Sequence, residues 1–155
     1  MSILHNYNMN IQWTGNKGSG TNSYTSYDRS HSIYTENKKI IECSSDPSFR
    51  GDSSKYNPEE LFLASISACH MLWYLHLCAD NSITVLSYGD NANGTMEQDG
   101  SGGKFVEVIL KPLMEIKEAG KKMLAIELHK QAHEHCYIAR SCNFPILHQP
   151  EINIK

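Results

Sequence analysis

The stretch at residues 57–80, NPEELFLASISACHMLWYLHLCAD, most constrains the fold, because it is the only run that is both long and apolar on all sides. Its Asn-Pro-Glu-Glu opening is typical of a helix start, with an N-cap side chain, a proline at the first helical position and acids near the positive end of the dipole. Apolar residues then fall on every face, which is typical of a buried helix. Acids and histidines interrupt the run, so we expect a core helix and not a membrane span.

The overall composition is that of a folded soluble protein. With 155 residues, 40% hydrophobic and 20% charged, we expect a single domain over 1–155. A net charge of −3 without a long basic run argues against nucleic acid or a membrane surface as the partner. The N-terminus lacks the regions of a signal peptide, which favours the cytoplasm. There the five cysteines are more often free, catalytic or metal-bound than paired in structural disulfides.

Strands are predicted before the helix. Apolar and polar residues alternate over 7–13, which predicts a strand with one buried face. Two further fragments, 32–36 and 40–43, complete an antiparallel meander. The loop at 44–56 is rich in serine and aspartate and carries Arg50 towards the start of the helix.

After the helix we predict more strands, then a second helix. The predicted elements are strands at 82–88, 93–97 and 104–116, an amphipathic helix at 119–135, a turn at 138–143 and a closing strand at 151–155. Pro112 predicts an edge or a bend in the third of these strands. Strands grouped around helices, without alternation, indicate the α+β class.

Two thiols carry the chemistry that the sequence suggests. Cys69 lies in SISACH within the apolar helix, and Cys136 lies in HEHCYIARSC at the end of the second helix. Together with the NPEELFLASISAC opening, this pair resembles the OsmC/Ohr family of cysteine-based hydroperoxide peroxidases, and the resemblance runs over essentially the whole chain. It implies an antiparallel sheet packed on a long buried central helix, in an intertwined homodimer whose active sites use both subunits.

The resemblance implies a two-cysteine peroxidase without a metal or other cofactor. Cys69 would attack an organic hydroperoxide and become a sulfenic acid, and Cys136 would condense with it to a disulfide. An external dithiol, a lipoyl protein or a thioredoxin-like protein, would reset the pair. Tyr137 follows Cys136 where the family commonly has proline, and Cys142 is an alternative resolving thiol.

A cation is needed to keep a buried thiol ionised. Arg50 is the first candidate, and Glu59 is the family-matching carboxylate that would orient it. Because ten helical residues span roughly 15 Å, Glu59 cannot touch Cys69 directly. It would act through the arginine, across a dimer interface, or only as a charge at the helix start. Arg29 is the competing arginine, since Ohr-type members take theirs from an early loop.

Four apolar residues near Cys69 in the helix would bury the alkyl group of an organic or lipid hydroperoxide. They are Phe62, Ile66, Leu72 and Trp73.

Other functions stay open alongside this one. The H-x3-H-x-H-C pattern of His129, His133, His135 and Cys136 could bind a metal ion. Cys69 and His70 could supply the thiolate and the imidazole of a hydrolase. Neighbours on a helix point about 100° apart, however, so the two side chains cannot pair directly. A third reading is a non-catalytic protein that binds an apolar ligand. Cys43 and Cys78 are expected to be passive.

Overall fold

The structure is a computed structural model that describes residues 3–100 and 102–155. It divides into two compact units, one that ends at Leu61 and one that begins at Phe62. The boundary falls in the first turn of the long helix, and the two units are described separately. The single domain expected over 1–155 stays a prediction.

The N-terminal unit is a three-stranded antiparallel meander, as predicted. Its strands are β1 (Asn10–Trp13), β2 (His31–Tyr34) and β3 (Ile41–Cys43), in the order β1-β2-β3. The buried face predicted for β1 is absent, because all four of its residues are exposed. The alternation therefore marks an apolar surface of this unit and not a core.

The long helix α1 (Pro58–Asp80) begins where the sequence predicts. The backbone N–H of Glu60 donates to Asn57 Oδ1 at 2.8 Å, and the N–H of Asn57 donates to Glu60 Oε2 at 3.0 Å. This reciprocal capping box satisfies N–H groups that have no partner inside the helix.

The expectation that α1 is buried on all sides is wrong for this chain. Only Ile66, His70, Tyr74 and Cys78 are buried, a stripe with a spacing of four residues, whereas Leu72 is 63% exposed. By length and composition α1 could also cross a membrane, with 22% of its most apolar stretch buried. Core helices of soluble proteins pass the same test, so this finding assigns no membrane role.

The second unit adds α2 (Lys122–His135) and two small sheets. The strands are β4 (Val85–Asp90), β5 (Asn93–Asp99), β6 (Gly102–Leu110), β7 (Pro112–Ile116), β8 (Ile146–His148) and β9 (Glu151–Ile154). Their orders are β4-β7-β9 and β5-β6-β8. The antiparallel arrangement expected from sequence is mixed here, because β8 runs parallel to β6 and β9 runs parallel to β7.

The strand predicted over 104–116 is broken into β6 and β7 beside Pro112. Proline has no N–H to continue a ladder of hydrogen bonds. At the break, the N–H of Lys111 donates to Asp90 Oδ1 at 2.7 Å, and the Ser67 hydroxyl donates to Asp90 Oδ2 at 2.6 Å. Asp90 therefore ties α1 to the point where the strand is interrupted.

The core of the second unit has two buried clusters. One contains Tyr74 and Cys78 of α1 with Leu128 of α2. The other contains Ile66 with Val108 of β6 and Cys136, and Cys69 packs against its margin. The two thiols singled out in the sequence thus belong to one packed region.

Candidate active site

Cys69 and Cys136 are brought together by the two helices. Cys69 lies midway along α1, and Cys136 caps the C-terminal end of α2. Both are free thiols, with Cys136 fully buried and Cys69 half-buried. Burial, and next the hydrogen bond with the neighbouring Cys69 thiol, raise the pKa of Cys136 to about 12. Cys136 is therefore a neutral thiol that lies deeper than its partner.

A short turn fixes the position of Cys136. The N–H of Ala139 donates to Cys136 Sγ at 3.4 Å, and the N–H of Arg140 donates to the Cys136 carbonyl at 3.0 Å. A 3-10 helix at Ala139–Ser141 follows, which confirms the turn predicted at 138–143. Tyr137 in place of the proline that is common in the family thus still permits a turn here.

The other cysteines differ in their surroundings. Cys142 is half-buried, packs against the same cluster as the thiol pair, and donates to the Ile138 carbonyl at 3.3 Å. Cys78 and Cys43 are fully buried, the latter in the N-terminal unit. Burial is the main cause that raises the pKa of all three thiols. Cys142 is the only one of the three that packs beside the pair in the part of the chain described.

Arg50 lies in a loop with a defined local structure. The Ser48 N–H donates to Asp46 Oδ1 at 2.7 Å and starts a 3-10 turn at Pro47–Phe49. Arg50 ends this turn with a φ of 66°, a left-handed conformation that costs a non-glycine residue roughly 1 kcal/mol. At Gly51 a Cβ atom would lie 1.5 Å from the Ser45 carbonyl oxygen, so only glycine fits.

Arg29 is held by its own loop. Its guanidinium donates to the carbonyl oxygens of Tyr27 at 2.7 Å and Tyr24 at 2.8 Å, and lies over both rings. Arg29 and Arg50 both line a polar pocket of about 220 Å³ in the N-terminal unit. Among the described residues the Arg50 side chain donates no hydrogen bond. Its guanidinium therefore has fewer contacts than that of Arg29.

Glu59 does not form the helix cap, which uses Glu60 instead. Within the described ranges Glu59 makes no side-chain hydrogen bond or ion pair, and it is half-buried. Arg50 and Glu59 both belong to the N-terminal unit, whereas Cys69 belongs to the second. Their roles in activating the thiol therefore stay predictions.

The four predicted substrate residues fall into two pairs. Ile66 is fully buried, and Phe62 packs on the rings of Phe105 and Phe144, with centroids 5.1 and 6.1 Å away. These two residues build the core beside the thiols. Leu72 and Trp73 instead line an open, mainly apolar pocket of about 300 Å³ with His76 and Tyr137.

A group of buried imidazoles, which we call the histidine cluster, joins α1, α2 and β8. It consists of His70, His129, His133 and His148. His70 Nε2 lies 2.9 Å from His129 Nδ1, and the rings of His148 and His70 stack with centroids 4.5 Å apart. The His133 ring stands at 68° to that of His148 at 4.9 Å. His70 and His129 are almost completely buried.

Three members of the histidine cluster, His70, His129 and His148, are kept uncharged. Burial, followed by the neighbouring imidazoles, lowers the pKa of His70 to about 3, and burial and His148 lower the pKa of His129 to about 3. Burial and His133 lower the pKa of His148 to about 4. Each of the four rings has one buried nitrogen without a hydrogen-bond partner among the described residues. The cluster was not predicted from the sequence, because only His129 and His133 of its members are spaced in a recognisable pattern.

The geometry disfavours the metal and hydrolase readings. Across residues 3–100 and 102–155 no three His, Cys, Asp or Glu side chains are placed to hold a metal ion. His135, a proposed ligand, stacks on the indole of Trp73 instead, with centroids 5.1 Å apart. His70 pairs with His129, and its other nitrogen has no partner, so it does not act on Cys69 as a base.

Comparisons with known proteins identify the family and support the fold. Residues 51–150 match the family model described as OsmC-like protein. A structure of an OsmC-like protein of unknown function from Vibrio cholerae is 28% identical, covers 96% of this chain and 99% of its own, and has a TM-score of 0.84. An organic hydroperoxide resistance protein from Elizabethkingia anophelis is 20% identical over 100% of both chains, with a TM-score of 0.68.

A third structure, an organic hydroperoxide resistance protein OsmC from Legionella pneumophila, is 16% identical, with a TM-score of 0.69 over 98% of this chain and 99% of its own. The Elizabethkingia and Legionella likenesses support the fold alone. No curated protein sequence matches the chain significantly.

Proposed function

Because the chain belongs to the OsmC-like protein family, we propose that it is a thiol-dependent peroxidase that reduces organic hydroperoxides to alcohols. The observation that supports this most is the pairing of a half-buried thiol, Cys69, with a buried neutral thiol, Cys136. The hydroperoxide needs access to the first sulfur, and the second thiol must lie close enough to condense with the sulfenic acid. The names of two structurally similar proteins, which refer to organic hydroperoxide resistance, support the same class of activity.

The proposed reaction has three steps. The Cys69 thiolate attacks one peroxide oxygen, the O–O bond breaks, and the alkoxide takes up a proton, which gives a sulfenic acid and an alcohol. The Cys136 sulfur then attacks the sulfenic sulfur and water leaves, which forms the disulfide. An external dithiol finally reduces this disulfide by thiol–disulfide exchange and becomes a disulfide itself. A lipoyl or thioredoxin-like protein is the proposed donor.

Thiolate formation requires a nearby positive charge. We assign this role to Arg50, since the Arg29 guanidinium is bound by the carbonyls and rings of its own loop. Glu59 is proposed to orient Arg50. The strained backbone at Arg50 is consistent with a functional position, because such strain tends to be kept at sites where it serves a purpose.

We also propose that the protein is a homodimer and that it lies in the cytoplasm. The N-terminal segment exposes several large apolar side chains, with Tyr7 at 86%, Ile11 at 70% and Met9 at 55% exposed. Apolar surface of this kind usually marks an interface. A second copy would cover it, and we expect Ile11→Glu to shift the mass measured by light scattering from dimer to monomer while Lys39→Glu does not.

The decisive experiment treats the reduced protein with one equivalent of cumene hydroperoxide and maps disulfides by mass spectrometry. We expect a Cys69–Cys136 linkage and release of 2-phenyl-2-propanol. Cys69→Ser should abolish turnover, whereas Cys136→Ser should stop at a sulfenic acid that dimedone traps.

Cys78→Ala is the matched control, since Cys78 lies on the same helix but in the other buried cluster. It should keep the wild-type rate. An unchanged protein with five free thiols after peroxide treatment would overturn the proposed function. A linkage between Cys69 and Cys142 would keep the peroxidase but transfer the resolving role.

A further inference from the structure

An open pocket of about 300 Å³ is lined by Leu72, Trp73, His76 and Tyr137. Leu72 and Trp73 follow Cys69 by three and four residues in α1, so their side chains leave the helix on the same face as the thiol. Tyr137 directly follows Cys136. Trp73 also packs against the buried cluster that Cys69 borders. The lining of the pocket therefore contains close sequence neighbours of both cysteines.

Aromatic rings surround Trp73 in a specific arrangement. The ring of His76 stands at 77° to the indole and that of Tyr137 at 86°, each with its centroid 5.7 Å away. His135 stacks on the indole at 30° and 5.1 Å. Two rings roughly perpendicular to the indole, those of His76 and Tyr137, therefore line the pocket together with it.

We propose that this pocket, the aryl pocket, binds the aromatic ring of an aryl hydroperoxide, so that aryl substrates are preferred over saturated ones of the same size. This inference rests on the proposed function for its substrate class. Perpendicular rings in one lining offer a flat ring both stacked and edge-to-face contacts, which a saturated group cannot make.

The size of the pocket fits this ligand. A cavity of about 150 Å³ holds one benzene molecule, and the aryl pocket has about twice that volume. One substituted ring therefore fits, with room for the branched carbon that carries the peroxide. His76 of the lining also pairs with Asp80 at 3.4 Å.

The test compares two unreactive alcohols of the same shape, 2-phenyl-2-propanol and 2-cyclohexyl-2-propanol. The chain has two tryptophans, so Trp13→Phe leaves Trp73 as the single indole N–H to follow by NMR titration. We expect the phenyl alcohol to bind at least about five-fold more tightly, the effect of about one favourable ring pair. Since no sulfur reacts with an alcohol, this result does not depend on peroxidase activity.

Substitution of a lining ring tests whether the aromatic lining causes the preference for the phenyl alcohol. Tyr137→Leu keeps an apolar lining but removes one ring, and the phenyl preference should fall towards one. Tyr137 is 63% exposed, so its replacement leaves the fold intact. Tyr56→Leu is the matched control, because Tyr56 is 62% exposed and lies in the N-terminal unit.

Three results would overturn the aryl pocket. They are equal binding of the two alcohols, no shift of the Trp73 signal with either, and binding of tetramethylammonium in place of the phenyl alcohol, which would indicate a cation cage instead. A peroxidase that consumes cumene hydroperoxide and its cyclohexyl analogue at equal kcat/KM would also reject the inference while leaving the proposed function intact.

Discussion

Mild acid should destabilise this fold, because His70 and His129 of the histidine cluster must stay neutral inside it. The pKa values of His70 and His129 are lowered to about 3 in the folded protein, whereas an unfolded imidazole titrates near about 6.5. These groups therefore stabilise the fold fully above about pH 6.5, and the stabilisation is lost as the pH falls from there towards about 3. The groups that face them are other imidazoles and Tyr74, whose ring stacks on His129 at 3.9 Å.

The size of the effect follows from proton linkage. At about pH 5.5 each imidazole takes up most of one proton on unfolding, which lowers the free energy of unfolding by about 1.4 kcal/mol. His70 and His129 together give about 3 kcal/mol between about pH 7.5 and about pH 5.5, and His148 acts in the same direction. Since a domain is typically stable by about 5–15 kcal/mol, this loss is large.

Urea unfolding followed by circular dichroism at both pH values measures the loss. His70→Gln removes one titrating group, so its pH-dependent loss should be smaller by about 1.4 kcal/mol. His5→Gln, at an exposed position of the N-terminal unit, should match the wild type. Carboxylates change little over this range, so a wild-type loss below about 1 kcal/mol would refute the reasoning.

Three further predictions concern single contacts. Asn57→Ala removes one half of the capping box and should lower the free energy of unfolding by about 1 kcal/mol in urea, whereas Pro58→Ala, next to it, should have a smaller effect. Asp90→Ala leaves the Ser67 hydroxyl and the Lys111 N–H without their acceptor, and should cost about 1–3 kcal/mol by the same assay. Arg50→Gly should relieve a positive φ and gain roughly 1 kcal/mol while lowering the peroxidase rate, and Arg50→Ala should lower the rate without that gain. An Arg50→Gly protein with full activity would transfer the activating role away from Arg50.

Features that depend on local sequence were predictable. The capping box at Asn57 and Glu60 fixes the start of α1 through residues three apart, and alternation over short windows revealed the meander of β1, β2 and β3. The thiol pair was reachable only through the family pattern, since nothing in the spacing of Cys69 and Cys136 says that two helices meet there.

Features that depend on long-range packing were not predictable. Strand β8 is three residues long and parallel to β6, so it has neither the length nor the hairpin turn that marks a strand in sequence. The burial of α1 was overestimated because composition does not reveal how much of a helix its own chain covers. The histidine cluster gathers residues from three separate elements, and single histidines in a sequence look like solvated side chains.

The register of α1 places Cys69 and the neighbouring His70 on different faces of the helix. Cys69 shares its face with Leu72, Trp73 and His76, whereas the fully buried stripe carries His70 and Tyr74, and adjacent residues differ by about 100° around the axis. The nearest imidazole in sequence is therefore directed into the histidine cluster, where it is bonded to His129 and kept neutral. A neutral imidazole on another face can neither stabilise the Cys69 thiolate by charge nor take its proton directly. We propose that an arginine supplies the positive charge for a reactive Cys69, and the Arg50 variants test this proposal most directly.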